Sequence, residues 1–298
     1  MFPGHTGELT ALLVALFWTV SALAFEYASK SVGSLPVNII RLAFGLIFLM
    51  MLSFFLHGHV LPAGASQHNW LWLSVSGLIG FVIGDLFLFK SFTMIGSWFS
   101  MLIMTLAPPM AAVFGWIILN EKLSPQSIAG MLITMAGIAI AIFKPDKVNK
   151  KIRFNKPLLG ILFAFAGAFG QALGIVFSKY GMGDYDAFAS TQIRIIAGIA
   201  GFIVVITLSQ RWTKVKNAFR NRHALSGITV GSFFGPFLGV SLSLVAIKYT
   251  ATGIASTIMA MVPIFIIPPS VLFFRHKITL REIAGTVVSL TGIMLFFL

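Results

Sequence analysis

The chain reads as an all-α membrane protein of ten transmembrane helices, arranged as two inverted five-helix repeats, and three observations predict this. First, 58% of its 298 residues are hydrophobic and only 10% are charged, against about 25% charged in an ordinary soluble domain. Second, the apolar residues gather into ten stretches, each near the ~20 residues that cross a bilayer. Third, the second half repeats the first. Gly80 and Gly84 return as Gly235 and Gly239, and the same offset carries Pro108 onto Pro263, Lys122 onto Lys277, Gly130 onto Gly285 and Gly137 onto Gly292. A duplicated helical unit with few internal charges points to a transporter.

The spans are expected at 8–28, 36–56, 70–92, 96–119, 125–143, 158–180, 187–209, 224–247, 251–274 and 280–298. A basic linker over 144–156, with six lysines and arginines, separates a first repeat (1–143) from a second (157–298). Five spans per half is an odd number, so the copies must face opposite ways across the membrane.

The first span ends in Ala22-Leu23-Ala24, which looks like a signal-peptidase site. No basic segment precedes it and it has a counterpart in the second half, so it is expected to be retained. Its Glu26 and Lys30 lie one turn apart and predict an interfacial pair. Arg41 and Arg194 occupy equivalent places early in spans two and seven. Each either snorkels to the headgroups or pairs across a cavity and attracts anionic substrate groups.

Small residues recur every four positions in spans three (Ser76, Gly80, Gly84), eight (Gly227, Gly231, Gly235, Gly239) and six (Ala166, Gly170, Gly174). Such ladders let helix backbones approach closely in lipid, where no hydrophobic force drives association. Asp85 follows the ladder of span three, deep in an apolar run. A mid-bilayer charge costs ~2.5–3.5 kcal/mol on insertion scales and so needs a reason. For Asp85 the reasons are a salt bridge with Lys90 or Arg41, or a substrate or proton role. Spans four and nine carry Pro108-Pro109 and Pro263, which free backbone carbonyls and suggest kinks that gate or line a cavity. Gln171 in span six, Trp18, Phe17 and Phe25 in span one, and Trp98 and Met101 in span four complete the candidate cavity lining. Gln171 stands out among these, because an amide in a span seeks a partner.

The formal net charge is +13, and the basic residues lie in the joints between spans. That distribution fits anionic headgroups rather than nucleic acid, and by the positive-inside rule it places both termini outside the cytoplasm. Cysteine is absent, which removes thiol chemistry and disulfides. The six histidines fall in loops or at span ends without ligand spacing, which argues against metal chemistry or an intramembrane hydrolase. No phosphate-binding glycine loop supports an ATP-driven pump. No cofactor is expected.

Ala15-Leu16-Phe17-Trp18, Lys30, Arg41, the stretch Leu106-Ala107-Pro108 through Gly115, the turn Asn120-Glu121-Lys122-Leu123, and Gly130 and Gly137 together resemble the ten-helix EamA-type members of the drug/metabolite transporter superfamily. In the second copy His276 stands where Glu121 would recur. The resemblance implies alternating-access transport of small organic metabolites, with both termini in the cytoplasm. The expectation is thus a multi-pass secondary carrier of the cytoplasmic membrane, whose partners are a small-molecule substrate, the lipid bilayer and possible coupling protons. A channel and a non-transporting assembly protein are the rival readings.

Overall fold

The structure, a computed structural model, describes residues 6–119, 124–145, 152–154, 156–249, 255, 258–274 and 279–297. The turn at Asn120–Leu123, its counterpart at Arg275-His276-Lys277 and most of the linker lie outside these residues. Helix α1 (Thr6–Val32) meets α2 (Ser34–His57) at Gly33, whose φ of 88° suits only glycine without strain. α3 (Gln67–Gly77) starts on a capping box between Ser66 and Asn69. It widens into a π-helical segment over Leu78–Gly84 and continues as α4 (Asp85–Ile95). Gly96, with φ 82°, turns the chain into α5 (Ser97–Met104). A break at Thr105 and Leu106 precedes α6 (Ala107–Leu119), and α7 (Pro125–Ile142) follows.

The linker is not purely irregular, as the sequence reading had it. β1 (Phe143–Pro145) pairs antiparallel with β2 (Ile152–Phe154), a short ribbon beside an otherwise helical fold. The second half then runs as α8 (Leu158–Met182), α9 (Ala187–Leu208), a short α10 (Trp212–Ala218) in the joint between the seventh and eighth expected spans, and α11 (Arg222–Ser232). A second π-helical segment over Phe233–Gly239 leads into α12 (Val240–Tyr249). α13 (Val262–Phe274) and α14 (Leu280–Phe297) close the chain. The two π segments start and end at positions related by the sequence offset, as do the breaks at 105–106 and 260–261. Pro108 and Pro263 each sit in the first turn after their break. There the missing N–H has no helical acceptor to lose.

Among the described residues seven helical stretches are long and apolar enough to cross a membrane. Large apolar side chains such as Phe55, Leu132, Leu208 and Leu272 point outward. That surface suits lipid and would be a liability in water.

The small-residue ladders are where the helices touch. In α8, Gly170 lies against the backbone of Gly84, Gly174 against Gly80, and Gly167 against Leu88, so the contact line runs through Gly167 rather than Ala166. Ser76 donates to the Gly174 carbonyl at 2.6 Å. In the mirrored contact, α1 packs on α11 and the second π segment, with Trp18 on Gly239, Ser21 on Gly235 and Phe25 on Gly231. As one partner's numbers rise the other's fall, so both contacts are antiparallel. α7 and α14 do the same: Gly137 meets Gly285, Thr134 meets Ser289, and Gly292 meets Gly130.

A methyl group on Gly137 would lie 2.3 Å from the Ser289 nitrogen, which backbone cannot yield without moving a helix. Gly137→Ala is therefore expected to cost roughly 1–3 kcal/mol and lower the melting temperature of the detergent-purified protein. Val287→Leu, on the lipid-facing side of α14, is expected to leave it unchanged.

Candidate functional site

Between the two halves lies a cavity of about 210 Å³, room for a small organic molecule rather than a single water. Trp18, Asp85, Met101, Gln171, Arg41, Arg194, Pro108 and Pro263 all line it. Eight residues chosen from sequence thus converge from α1, α2, α4, α5, α6, α8, α9 and α13. Phe25 lines it too, whereas Phe17 packs away on Phe234 with ring centroids 5.2 Å apart.

Trp98 does not line it. Its side chain is buried in the core beside Phe99, and its indole nitrogen has no hydrogen-bond partner among the described residues. The reason is depth along α5. Trp98 occupies the first turn, at the level where Glu26 accepts from the backbone N–H and hydroxyl of Ser97, while Met101 and Met104, further along, reach the cavity. Glu26 is correspondingly more than an interfacial residue. It is fully buried, receives Lys30 Nζ at 2.5 Å and caps α5.

The centre of the site is one carboxylate. Asp85 opens α4, straight after the π segment, whose i→i+5 bonds end with the Asp85 N–H on the Gly80 carbonyl. A π turn inserts an extra residue and re-aims the helix that follows, so Asp85 faces inward. Arg41 Nη2 pairs with Asp85 Oδ2, which selects Arg41 over Lys90 as the partner. Gln171 Nε2 donates to the other oxygen, Oδ1, at 2.5 Å, and reaches the Gly80 carbonyl at 3.3 Å. Arg41 Nε donates to Asn38 Oδ1 at 3.1 Å, and Asn38 Nδ2 reaches the Asp85 carbonyl at 3.4 Å. Both carboxylate oxygens are therefore occupied, and α2, α4 and α8 are tied to one group.

Neither arginine snorkels. Arg41 is 3% exposed and Arg194 is 5% exposed. Both belong to the cavity because each lies on the eighth residue of a helix whose lower turns are walled in by neighbours. Phe81 sits between their chemistries, with the Arg194 guanidinium 4.7 Å and the Arg41 guanidinium 5.7 Å from its ring centre. These distances suit cation–π attraction. Sequence reasoning missed Asn38 and Phe81. Asn38 stands three residues before Arg41, on the same helix face, and that spacing was the available signal. Phe81 offered none among thirty phenylalanines.

A sequence model of the EamA-like transporter family matches residues 5–143 and 158–298. A protein of Archaeoglobus fulgidus described as an uncharacterized transporter is 22% identical over 291 residues, 97% of each chain. The uncharacterized transporter YvbV of Bacillus subtilis is 24% identical over 191 residues, 63% of this chain and 59% of that one. A solved crystal structure superposes with a TM-score of 0.66 over 97% of this chain and 95% of the other, at 15% identity, a likeness of fold.

Removing one partner of a buried pair costs about 3–5 kcal/mol, because the other charge is left uncompensated. Arg41→Met is expected to lower the yield of monodisperse protein on size exclusion and its melting temperature. Adding Asp85→Asn to Arg41→Met is expected to recover most of the loss, since no orphan charge remains.

Proposed function

This chain belongs to the EamA-like transporter family, and from that premise we propose that it is a secondary carrier moving a small organic metabolite by alternating access to the cavity between its halves. The observation that carries the reading is the cavity itself, walled by equivalent elements of both halves and centred on a hydrogen-bonded charge network. The residues proposed to meet substrate are Trp18, Met101 and Gln171, with Asp85, Arg41 and Arg194 setting the charge.

We read the architecture as ten spans in two inverted repeats, 1–143 and 157–298, joined by the linker 144–156. Three antiparallel contacts support it: one between equivalent helices, the crossing of α7 and α14 at Thr134 and Ser289, and two that mirror each other, α8 on the first π segment and α1 on the second. A two-fold axis through such a crossing lies across the helices and hence in the membrane plane, which is the arrangement of carriers built from inverted repeats. The matched π segments and the matched breaks before Pro108 and Pro263 are the places where helices can bend at small cost. We place the chain in the cytoplasmic membrane and assign proton coupling to Asp85, the acid among the cavity's lining residues.

The chain contains no cysteine, so a single introduced thiol reports access without a background. Ser243→Cys, which lines the cavity, is expected to react with a membrane-impermeant maleimide from either face, in right-side-out and in inside-out vesicles. Reaction from one face under every condition would contradict alternation. For the coupling role, Asp85→Asn, which leaves Arg41 without its acid and so lowers the yield, is expected in the folded fraction reconstituted in proteoliposomes to retain solute exchange and lose the pH dependence of net uptake. Unchanged rate and pH dependence would remove Asp85 from the mechanism.

A further inference from the structure

The two arginines of the cavity occupy equivalent positions but are satisfied unequally. Arg41 is held by Asp85 on one side and by Asn38 on the other. In the second repeat the residue equivalent to Asp85 is Val240, and the residue equivalent to Asn38 is Thr191, whose hydroxyl is committed to the Ala187 carbonyl at 2.8 Å. Arg194 keeps the cation, but neither equivalent position offers it an acid or an amide. Its Nε is buried with no hydrogen-bond acceptor among the described residues, and Arg194 belongs to neither ion pair found among them.

The charged side chains lining the cavity are Arg41, Asp85 and Arg194. One acid faces two guanidiniums that stay protonated in proteins, so the lining carries one positive charge in excess. Asp85 cannot serve both arginines equally, because its oxygens are taken by Arg41 and Gln171. Within a membrane an uncompensated cation is costly, and a guanidinium offers two parallel donors matched to a carboxylate. The remaining walls, Trp18, Phe25, Met101, Met104 and Pro263, are apolar or aromatic.

Resting on the carrier reading above, we propose that Arg194 is the substrate's anion receptor, and that the substrate is a small monocarboxylate with an apolar body. The carboxylate pairs with Arg194 beside Phe81, and the body lies among the aromatic and methionine side chains. Filling the site neutralises the cavity, so the loaded form is the electrically balanced one. A small inorganic anion could supply the same charge and is an outcome of the test.

The test uses the full-length protein in detergent, in chloride-free gluconate buffer. Hexanoate, benzoate and 3-phenylpropionate are each compared with the matched amide by thermal shift, and then by exchange in proteoliposomes. At least one carboxylate is expected to stabilise the wild type while its amide does not. Arg194→Gln is expected to raise the carboxylate concentration needed for that stabilisation roughly tenfold or more, the worth of a charge-assisted hydrogen bond, and Arg194→Lys to raise it less.

A second readout needs no ligand. Without ligand, Arg194→Met is expected to melt at or above the wild-type temperature, because it removes an unpaired buried cation. A fall as large as that of Arg41→Met would make Arg194 a structural residue and overturn the proposal. Stabilisation by chloride alone, or by amides equally, overturns it as well, as does the failure of all three carboxylates. Exchange of neutral solutes in those cases leaves the carrier reading standing, so the two failures are told apart.

Discussion

A bilayer offers no water to a polar group, so every donor, acceptor and charge in a membrane span must be satisfied by the protein itself. The interior of this protein is organised around two acids that meet this condition. Asp85 collects Arg41 and Gln171 on its carboxylate, and thereby fixes α2, α4 and α8 to one another. Glu26 collects Lys30 and the first turn of α5. Breaking a buried pair costs about 3–5 kcal/mol, a large part of the 5–15 kcal/mol that holds an ordinary domain folded. The positions of helices with no ladder contact of their own, α5 above all, depend on these polar ties.

Backbone contact supplies the remainder. Where Gly170 faces Gly84 and Gly137 faces Gly285, dispersion between backbones replaces the hydrophobic effect that lipid cannot provide. Close contact permits little sliding, because each glycine is enclosed by the other helix. The regular helical hydrogen-bond ladder is interrupted at four matched points, the two π segments and the breaks before Pro108 and Pro263.

The duplication is closer in backbone than in chemistry. Both halves keep the π segment, the break and an arginine on the eighth residue of the second helix. Only the first keeps the acid and the amide that satisfy that arginine. The scaffold is repeated, but the charge set within it is not.

The amino-acid sequence alone determined the class of molecule and its duplication. Apolar run length measures the bilayer directly, and a fixed offset between Gly80-Gly84 and Gly235-Gly239 survives without any knowledge of contacts. It also singled out Asp85 and Gln171, because polar side chains in such runs are rare enough to be conspicuous. What it could not give was which faces meet. Arg41 was legible as a charge near a span end but not as the partner of a residue 44 positions away, and Trp98 shared its helix with Met101 without sharing its depth. The π segments were equally hidden, since one extra residue per turn changes no composition. Partner choice, side-chain depth and the lack of a hydrogen-bond acceptor for Arg194 Nε among the described residues depend on how distant helices pack, and only the tertiary structure decides that.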